Sequence, residues 1–262
     1  AEKDAHRVCC LDRKSGTVLW KHTVGGRIDS APTYTEGLLV FGCRDGHVYC
    51  LDAHTGKRVW RFRAAPHDAM IVAMDQLESL WPVHGSLIVS GDNVYCVAGR
   101  SSHLNGGMYL YRLDRKSGRV LQEKRLQADL ASSYESEKGV LSDLMTLQDG
   151  TVRMRTLSFT DGRLEDVVHA NNSGRGLHSV KGTPVIQAAS GFLDASLFNT
   201  AVWGVGSTKG QLVAHDGTSA FGLTSYRKFG QSVGHVVVTL AKDGYLLSCR
   251  ALANTKDKPK RR

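Results

Sequence analysis

The sequence predicts an all-β protein, a β-propeller of four-stranded antiparallel blades. Three observations predict this fold. A segment of strand, turn and strand recurs at a distance of 40 residues. Short apolar runs of strand composition follow one another, separated by turn residues about 8–12 positions apart. Glycine, with 28 residues against five prolines, supplies many tight turns. A period of about 40 residues that holds four short strands is typical of a propeller blade.

The repeated segment aligns residue by residue. Residues 10–20 (CLDRKSGTVLW) align with residues 50–60 (CLDAHTGKRVW), and residues 112–121 (RLDRKSGRVL) form a third copy without the Trp. In each copy the Asp side chain can accept backbone N–H bonds across the turn, and the Gly supplies a positive φ. The positions expected to carry the repeat are Asp12, Gly16, Trp20, Asp52, Gly56, Trp60, Asp114 and Gly118.

The two repeated tryptophans fall on the outer strand of each unit. An indole is large enough to pack between neighbouring sheets. We therefore expect Trp20 and Trp60 to be largely buried, at equivalent positions between adjacent sheets.

The Asp45-Gly46 pair predicts a hairpin with a two-residue turn. Such a turn places Cys43 opposite Val48 and Cys50 opposite Phe41. The two thiols would then be diagonal neighbours, too far apart for an unstrained disulfide. We expect reduced cysteines that pack as small apolar groups.

The predicted organisation is a propeller over residues 1–252 with about five to six blades. The units are a partial blade at 6–25, blades at about 26–62, 80–124, 139–180 and 195–228, a partial blade at 232–252, and a basic disordered tail at 253–262. Half-blades at both ends fit two arrangements. Either the chain is a fragment of a longer propeller, or the two halves close on each other as the seam of a ring.

The repeat resembles that of the pyrroloquinoline-quinone-type, or quinoprotein, propellers. Residues 45–60 contain its pattern of an Asp-Gly turn, an aromatic strand, Leu-Asp, Thr-Gly-Lys and Trp, and the strong resemblance covers residues 6–124. Seven or eight blades are usual in that family, which favours the fragment. WD-repeat propellers share the period, but the sequence contains no Trp-Asp dipeptide.

Within that family the chain is most similar to uncharacterised propellers of planctomycete-type bacteria. The similar parts are residues 77–85 (LESLWPVHG) and 98–102 (AGRSS). A more distant resemblance is to the propeller of the outer-membrane assembly lipoprotein. The resemblance implies a bacterial protein of the periplasm or the extracellular space.

Charge and hydropathy restrict the function classes. The formal net charge is +9, but Lys and Arg are scattered and the only run is at 256–262, so we expect no specific nucleic-acid binding. No apolar run approaches the ~18 residues of a membrane-spanning helix. The first residues, Ala1–Asp4, show no signal-peptide core. No Cys-x-x-Cys pair or paired-His motif occurs, so we expect no metal site.

Enlarged loops predict where a site would lie. Strands alternate in direction in a four-stranded antiparallel unit. The same end of the unit therefore carries the loop between the second and third strands and the connection to the next unit. Residues 63–81, 99–107 and 189–199 are therefore expected on one face, where function tends to be located. The candidate ligand-binding residues are Glu78, Trp81, His84, Arg100, Ser101, Asn105 and Asp194.

Two interpretations of these residues remain open. In the first, they bind a small polar ligand or an acidic loop of a protein partner, with Arg100 as the charged anchor and Trp81 as a stacking platform. In the second, Glu78 and Arg100 form a structural pair, while Ser101 and Asn105 cap a long turn.

The leading function is a non-catalytic binding or assembly module without a cofactor. The alternative implied by the resemblance is a dehydrogenase that holds pyrroloquinoline quinone and calcium on the same face, with Glu78, Asn105, Asp194 and Trp81 as its candidate residues. The adjacent-cysteine ring of quinoprotein alcohol dehydrogenases is not expected, because Cys9 and Cys10 lie in a predicted strand with opposed side chains. A basic propeller associated with nucleic acid is the third hypothesis.

Overall fold

The computed structural model describes residues 5–73, 75–85, 87–127, 142–154 and 157–169, and beyond them the backbone of seven strands between Ile186 and Ala251. These parts of the chain consist of strands and turns, and every strand pairing in them is antiparallel. Several sheets have four strands. The all-β propeller architecture is therefore confirmed. No helix in the described ranges has the length and apolarity to cross a membrane.

The strands of the first half form four sheets, with the orders β1-β2, β3-β4-β5-β6, β7-β8 and β12-β11-β10-β9. Their bounds are Arg7–Leu11 (β1), Val18–Thr23 (β2), Thr33–Thr35 (β3), Leu38–Gly42 (β4), His47–Asp52 (β5), Arg58–Arg63 (β6), Met70–Ala73 (β7), Gln76–Ser79 (β8), Ile88–Ser90 (β9), Asn93–Ala98 (β10), Met108–Asp114 (β11) and Val120–Leu126 (β12).

The second half forms three sheets, with the orders β13-β14-β15-β16, β17-β18-β19 and β20-β21-β22-β23. Their bounds are Thr146–Gln148 (β13), Thr151–Met154 (β14), Leu157–Thr160 (β15), Arg163–His169 (β16), Ile186–Ser190 (β17), Val202–Val205 (β18), Thr208–Gly210 (β19), Leu212–His215 (β20), Ala220–Lys228 (β21), Gln231–Leu240 (β22) and Leu246–Ala251 (β23). The last sheet joins strands that the sequence assigned to a blade at 195–228 and to a half-blade at 232–252.

Consecutive sheets pack face to face. Alternate residues of a strand point to opposite faces, so one strand contributes to two different cores. Val40 packs in the core toward β9–β12, whereas its neighbour Phe41 packs in the core toward β1–β2. In the same way Cys96 faces the β3–β6 sheet and Val97 faces the β13–β16 sheet. This radial stacking of sheets is how a propeller buries its apolar surface.

The repeat turns that begin at Asp12, Asp52 and Asp114 and end at a Gly four residues later share one geometry. Asp52 Oδ1 accepts hydrogen bonds from the Thr55 backbone N–H at 2.7 Å and the Thr55 hydroxyl at 2.7 Å. These bonds lower the pKa of the Asp52 carboxyl. Gly56 closes the turn at a φ of 69°, and Gly16 and Gly118 have φ values of 70° and 71°. An Asp side chain that caps the turn and a Gly that permits it are what this spacing requires.

Each repeated Trp reaches the turn of the next sheet. The Trp20 Nε1–H donates to the Ala53 carbonyl oxygen at 3.1 Å, and the Trp60 Nε1–H donates to the Arg115 carbonyl oxygen at 2.9 Å. Trp60 is buried, whereas Trp20 is only half-buried. The indole therefore packs between adjacent sheets in both copies, with fuller burial in the second.

The third copy replaces the indole with an amide. Gln122 lies opposite Arg112 in β11, the register position that Trp60 holds opposite Cys50. Its Nε2 donates to Glu165 Oε2 at 2.8 Å, and its Oε1 accepts from the Leu164 N–H at 3.3 Å. A polar link to β16 thus takes the place of the aromatic one.

The predicted register of the Asp45-Gly46 hairpin is wrong. Val48 pairs with Gly42, and Cys50 pairs with Val40. The turn has three residues, Arg44 to Gly46, because the Cys43 N–H donates to the His47 carbonyl oxygen at 3.0 Å and Gly46 takes a φ of 85°. Cys43 and Cys50 therefore face different cores, and both are free thiols.

Candidate functional site

Two of the enlarged segments, 63–81 and 99–107, meet at the same end of the strands, which is one face of the propeller. The Arg100 Nη2, at the start of the loop between β10 and β11, lies 2.8 Å from the Glu78 Oε2 in β8. Arg44, in the loop between β4 and β5, lies at the same end. We call the described segments 24–32, 43–46, 64–73, 75–85 and 99–107 the loop face. Of the third predicted segment, Asp194 lies outside the described residues.

Glu78 is the centre of the site. Its side chain is completely buried, and Oε2 accepts hydrogen bonds from Arg44 Nη1 and from Arg100 Nη2, both at 2.8 Å. Oε1 lies 3.5 Å from Arg27 Nη2. A carboxylate without solvent is stable only when such partners surround it. Three guanidiniums from three loops thus converge on a single buried acid.

Asp29 is the second acid of the group. It accepts from Arg27 Nε at 2.8 Å and forms a close ion pair with Arg44. We call Arg27, Asp29, Arg44, Glu78 and Arg100 the arginine cluster. It contains three cations and two anions, so it carries a surplus positive charge. The side chains of Arg27 and Arg100 keep 23% and 21% of their surface exposed, so this charge remains accessible to solvent.

The backbone fixes the cluster in place. The Arg44 N–H donates to the Arg27 carbonyl oxygen at 2.9 Å, and the Ser79 N–H donates to the Arg44 carbonyl oxygen at 2.8 Å. The segment with Arg27 can approach this closely because Gly25 and Gly26 precede it. A Cβ on Gly26 would lie 2.8 Å from the Asp45 backbone nitrogen. The arginine positions are therefore set by main-chain bonds as well as by charge.

The surroundings of Arg100 disfavour its charged form. Burial lowers the pKa of Arg100, and the nearby Arg44 and Arg27 lower it further, while Glu78 opposes the shift. A negatively charged group placed beside Arg100 would relieve this repulsion. The contact with Glu78 therefore does not fully offset the effects of burial and of the two neighbouring arginines on Arg100.

His84 adjoins the cluster and is buried. Burial lowers the pKa of His84 to about 4, and the charge of Arg44 contributes. An interaction with the Gly99 backbone opposes this shift. The imidazole is therefore neutral at physiological pH and does not add a fourth cation to the three arginines.

Trp81 does not form the predicted stacking platform. It is only 7% exposed and belongs to the core between the β3–β6 and β9–β12 sheets. The edge of His67 packs on it, with 5.7 Å between ring centroids. An indole at this depth stabilises the connection between sheets instead of offering a surface to a ligand.

Ser101 and Asn105 occupy different parts of one loop. The Ser101 side chain is buried, and its Oγ accepts a hydrogen bond from the His103 backbone N–H at 3.1 Å. Asn105 is exposed at the loop tip with a φ of 52°, a conformation that asparagine tolerates. Ser101 therefore acts as a turn cap, and the two residues do not join the arginine cluster.

Glu78 and Trp81, two of the residues nominated for pyrroloquinoline quinone with calcium, do not fit that role. Glu78, the candidate metal ligand, is buried and bonded through Oε2 to two guanidiniums, and Trp81, the candidate floor for the ring, is in the core. Within the described ranges, no group of three His, Cys, Asp or Glu side chains could hold a metal ion. Cys9 is exposed and Cys10 half-buried on β1, and both are free thiols.

Sequence reasoning missed three members of the cluster, Arg27, Asp29 and Arg44. A signal was present. Arg44 directly precedes the Asp45-Gly46 pair, and the segment with Arg27 and Asp29 is the connection between two units, so strand alternation assigns all three to the loop face. A local pattern does not reveal their contacts, because folding brings together residues that are far apart in the sequence: Arg44 to Asp29 spans 15 positions, Arg44 to Glu78 spans 34 and Arg27 to Glu78 spans 51.

Comparisons with protein families and with curated proteins each match a part of the chain. Residues 2–80 match the model of the family described as outer membrane protein assembly factor BamB. Among curated proteins, the beta-alanine-activating enzyme of Homo sapiens is 36% identical over 52 residues, which are 20% of this chain and 5% of that protein. The matched segment is thus a small part of that relative.

Solved structures resemble the chain along most of its length. BamB from Moraxella catarrhalis has a TM-score of 0.53 at 12% identity, covering 95% of this chain and 68% of that chain. A europium-containing methanol dehydrogenase has a TM-score of 0.42 at 13% identity, covering 95% and 48%. Quinohemoprotein alcohol dehydrogenase from Comamonas testosteroni has a TM-score of 0.41 at 14% identity, covering 95% and 40%. The likeness to BamB shows the propeller fold alone.

Proposed function

We propose that this chain, which is built from quinoprotein-type propeller repeats, is a non-catalytic binding module that docks an acidic segment of a protein partner on its loop face. One observation carries the proposal: the arginine cluster holds three guanidiniums against two carboxylates, and Arg27 and Arg100 remain partly exposed. Nothing in the chemistry of the cluster requires a reaction. Its charge balance and position suit recognition.

The electrostatics of the cluster favour a carboxylate ligand. Arg27 and Arg100 have guanidinium groups whose planar N–H donors match the two oxygens of a carboxylate. Glu78, their shared partner, is completely buried, so the donors stand at the boundary between protein and solvent. Charge-assisted hydrogen bonds are stronger there than in bulk water, because the effective dielectric constant is lower.

The arrangement supports a protein partner over a small polar ligand. The residues that would enclose a small molecule do not converge, since Trp81 is in the core and Asn105 is at a loop tip. The loop face is instead broad and built from four segments on a rigid scaffold, as is common for protein-binding surfaces. The match of residues 2–80 to the BamB family, described as an outer membrane protein assembly factor, supports both an assembly role and a periplasmic or extracellular location.

The test uses a fluorescent peptide of Glu-Ser-Ser repeats as an acidic probe. Anisotropy should show binding that weakens as salt is added, since surface charges are screened. Arg100→Gln should weaken binding about tenfold or more, because one charge-assisted contact is lost. Arg61→Gln is the matched control, because it removes an exposed arginine from the middle of β6.

The control should change binding less than about twofold. Equal losses in the two variants would mean that only the overall charge matters, and the proposal would be wrong. Absence of binding by the wild-type chain would also overturn it.

A further inference from the structure

The tip of the loop between β10 and β11 carries an Asn-Gly-Gly sequence with a left-handed backbone. Asn105, Gly106 and Gly107 have φ values of 52°, 78° and 100°. The Leu104 N–H donates to the Ser101 carbonyl oxygen at 3.3 Å, and the Gly107 N–H donates to the Leu104 carbonyl oxygen at 2.8 Å. Such a run needs glycines, because glycine takes a positive φ without a steric cost.

Asn105 and the peptide nitrogen that follows it are both free to react. Asn105 is exposed. Among the residues that the structure describes, neither its side chain nor the Gly106 N–H takes part in a hydrogen bond. Gly106 has no side chain to obstruct an approach of Asn105 Cγ to the Gly106 nitrogen. A bond between these two atoms would close a five-membered ring.

The guanidinium of Arg125 lies against the same glycine. Its Nε donates to the Gly106 carbonyl oxygen at 2.6 Å. A Cβ on Gly106 would lie 2.7 Å from Nη2, so the guanidinium occupies the space that a side chain at this position would need. The group also packs over the Tyr109 ring, with 5.8 Å between Cζ and the ring centroid. A positioned positive charge therefore lies beside the Asn105-Gly106 pair.

We propose that Asn105 is a site of covalent self-modification, in which the Gly106 nitrogen displaces the side-chain amide with the assistance of Arg125. The Gly106 N–H loses its proton to water, and the nitrogen forms a bond to Asn105 Cγ. The bond from Cγ to Nδ2 breaks, and Nδ2 takes up a proton and leaves as ammonia. Water then opens the five-membered imide at one of its two carbonyl carbons. The product at position 105 is aspartate or its β-linked isomer, and no electron is transferred.

Arg125 assists where negative charge develops. Loss of the proton leaves the Gly106 nitrogen anionic, and the attack places negative charge on Asn105 Oδ1. A cation already positioned beside these atoms stabilises both. The product lowers the formal net charge of +9 by one and adds a carboxylate to the loop face. The proposal does not depend on the proposed function.

The test incubates the full chain at mildly alkaline pH and follows its proteolytic peptides by mass spectrometry. The exchange of an amide for a carboxyl group should be located at Asn105, and an isoaspartyl methyltransferase should label the β-linked product. Asn93 is the internal control, because it lies in β10, which is paired on both sides, and precedes the β-branched Val94. Asn105 should be converted at least about tenfold faster than Asn93.

Three variants test the role of the guanidinium. Arg125→Gln should slow the conversion of Asn105 about fivefold or more, which is the effect of one charge at contact distance in water. Arg125→Lys retains a cation and should recover part of the rate. Arg61→Gln, which removes an exposed arginine from β6, should change the rate less than about twofold.

Several outcomes would overturn the inference. Asn105 that stays unmodified, or that reacts no faster than Asn93, would show that the loop is not reactive. An equal or higher rate in Arg125→Gln would assign the reaction to the Asn-Gly sequence alone. Equal slowing by Arg61→Gln would assign it to overall charge. If Arg125→Gln also lowers the urea midpoint, Arg125→Lys decides: a recovered rate supports the role of the charge, and an unrecovered rate overturns it.

Discussion

The indole of Trp60 and the backbone of Arg115 join two neighbouring sheets by a hydrogen bond of 2.9 Å. The same ring lies against Gly118, where a Cβ would come within 2.7 Å of ring carbons Cδ2 and Cε3. The glycine of the repeat therefore has two structural roles. It permits the positive φ of its own turn, and it leaves room for the Trp of the preceding sheet.

Gly118→Ala should be more destabilising than Gly16→Ala. Both glycines have nearly the same φ, 71° and 70°, so both variants lose about 1–2 kcal/mol to a left-handed backbone. Gly118 faces an indole, whereas among the described residues no atom outside the adjoining chain lies within 4 Å of a Cβ on Gly16. The clash should add about 1–3 kcal/mol. Urea denaturation of the two variants measures the difference, and equal losses would show that the Trp60 ring can move aside.

Trp60→Ala should reduce the free energy of unfolding by about 3–5 kcal/mol, as expected for a large side chain removed from a core. Trp60→Phe retains most of the buried surface and loses the bond to Arg115, so it should cost less. Equilibrium denaturation gives both values. A loss below about 1 kcal/mol for Trp60→Ala would contradict a role for the indole in joining the sheets.

Glu78→Gln and Arg100→Gln should differ in stability. Without the Glu78 charge, three guanidiniums face only Asp29, and the buried repulsion should cost about 3–5 kcal/mol. Without Arg100 the cluster is balanced at two cations and two anions, so the loss should be about 1–2 kcal/mol. Thermal and urea unfolding of both variants would test this order. The reverse order would identify Arg100 as the main structural support of the loop face.

Stability should rise with pH between about pH 4 and pH 6.5 through His84. Its pKa is lowered to about 4 in the folded chain from an ordinary value of 6.5, so in this interval the unfolded chain binds more protons. Linkage then makes folding more favourable as the pH increases, by up to about 3 kcal/mol. His84→Leu should remove this part of the pH dependence. Unfolding of both proteins at pH 4.5 and 7 is the measurement, and parallel pH profiles would contradict it.

The sequence predicted the parts of the fold that depend on local spacing. The Asp and Gly of each turn, and the Trp ten residues after the cysteine of the repeat, act within one unit or on the adjoining unit. Hydrogen bonds such as that from Thr55 to Asp52 span three residues, and the pattern that they need is visible in the sequence. The contact between Arg100 and Glu78 was also accessible, because strand alternation alone assigns both to one face.

Other features depend on contacts between residues that are far apart in the sequence, and the local spacing of residue types does not predict those contacts. Arg44 joins the site through Asp29 and Glu78, which are brought to it by two separate connections. Trp81 is the last residue of the enlarged segment 63–81 and was expected at the surface, but its indole lies in the core between two sheets. The observed register of the β4-β5 hairpin differs from the predicted one, because Gly46 takes the left-handed position of a three-residue turn instead of a two-residue turn.

The contact between the repeat Trp and the turn of the neighbouring sheet affects how repeats can be gained during evolution. Each repeat contributes a Trp that contacts the next sheet, as Trp60 does. It also contributes a turn that receives the Trp of the preceding sheet, as the turn with Gly56 receives Trp20. A tandem duplication of one period would therefore copy both halves of the joint, and the new unit would find a partner on each side. Where Gln122 replaces the indole, its bond to Glu165 matches only the unit that now follows, so a duplication at that boundary would require further substitutions. Growth of the array is thus easiest among the units that retain the Trp.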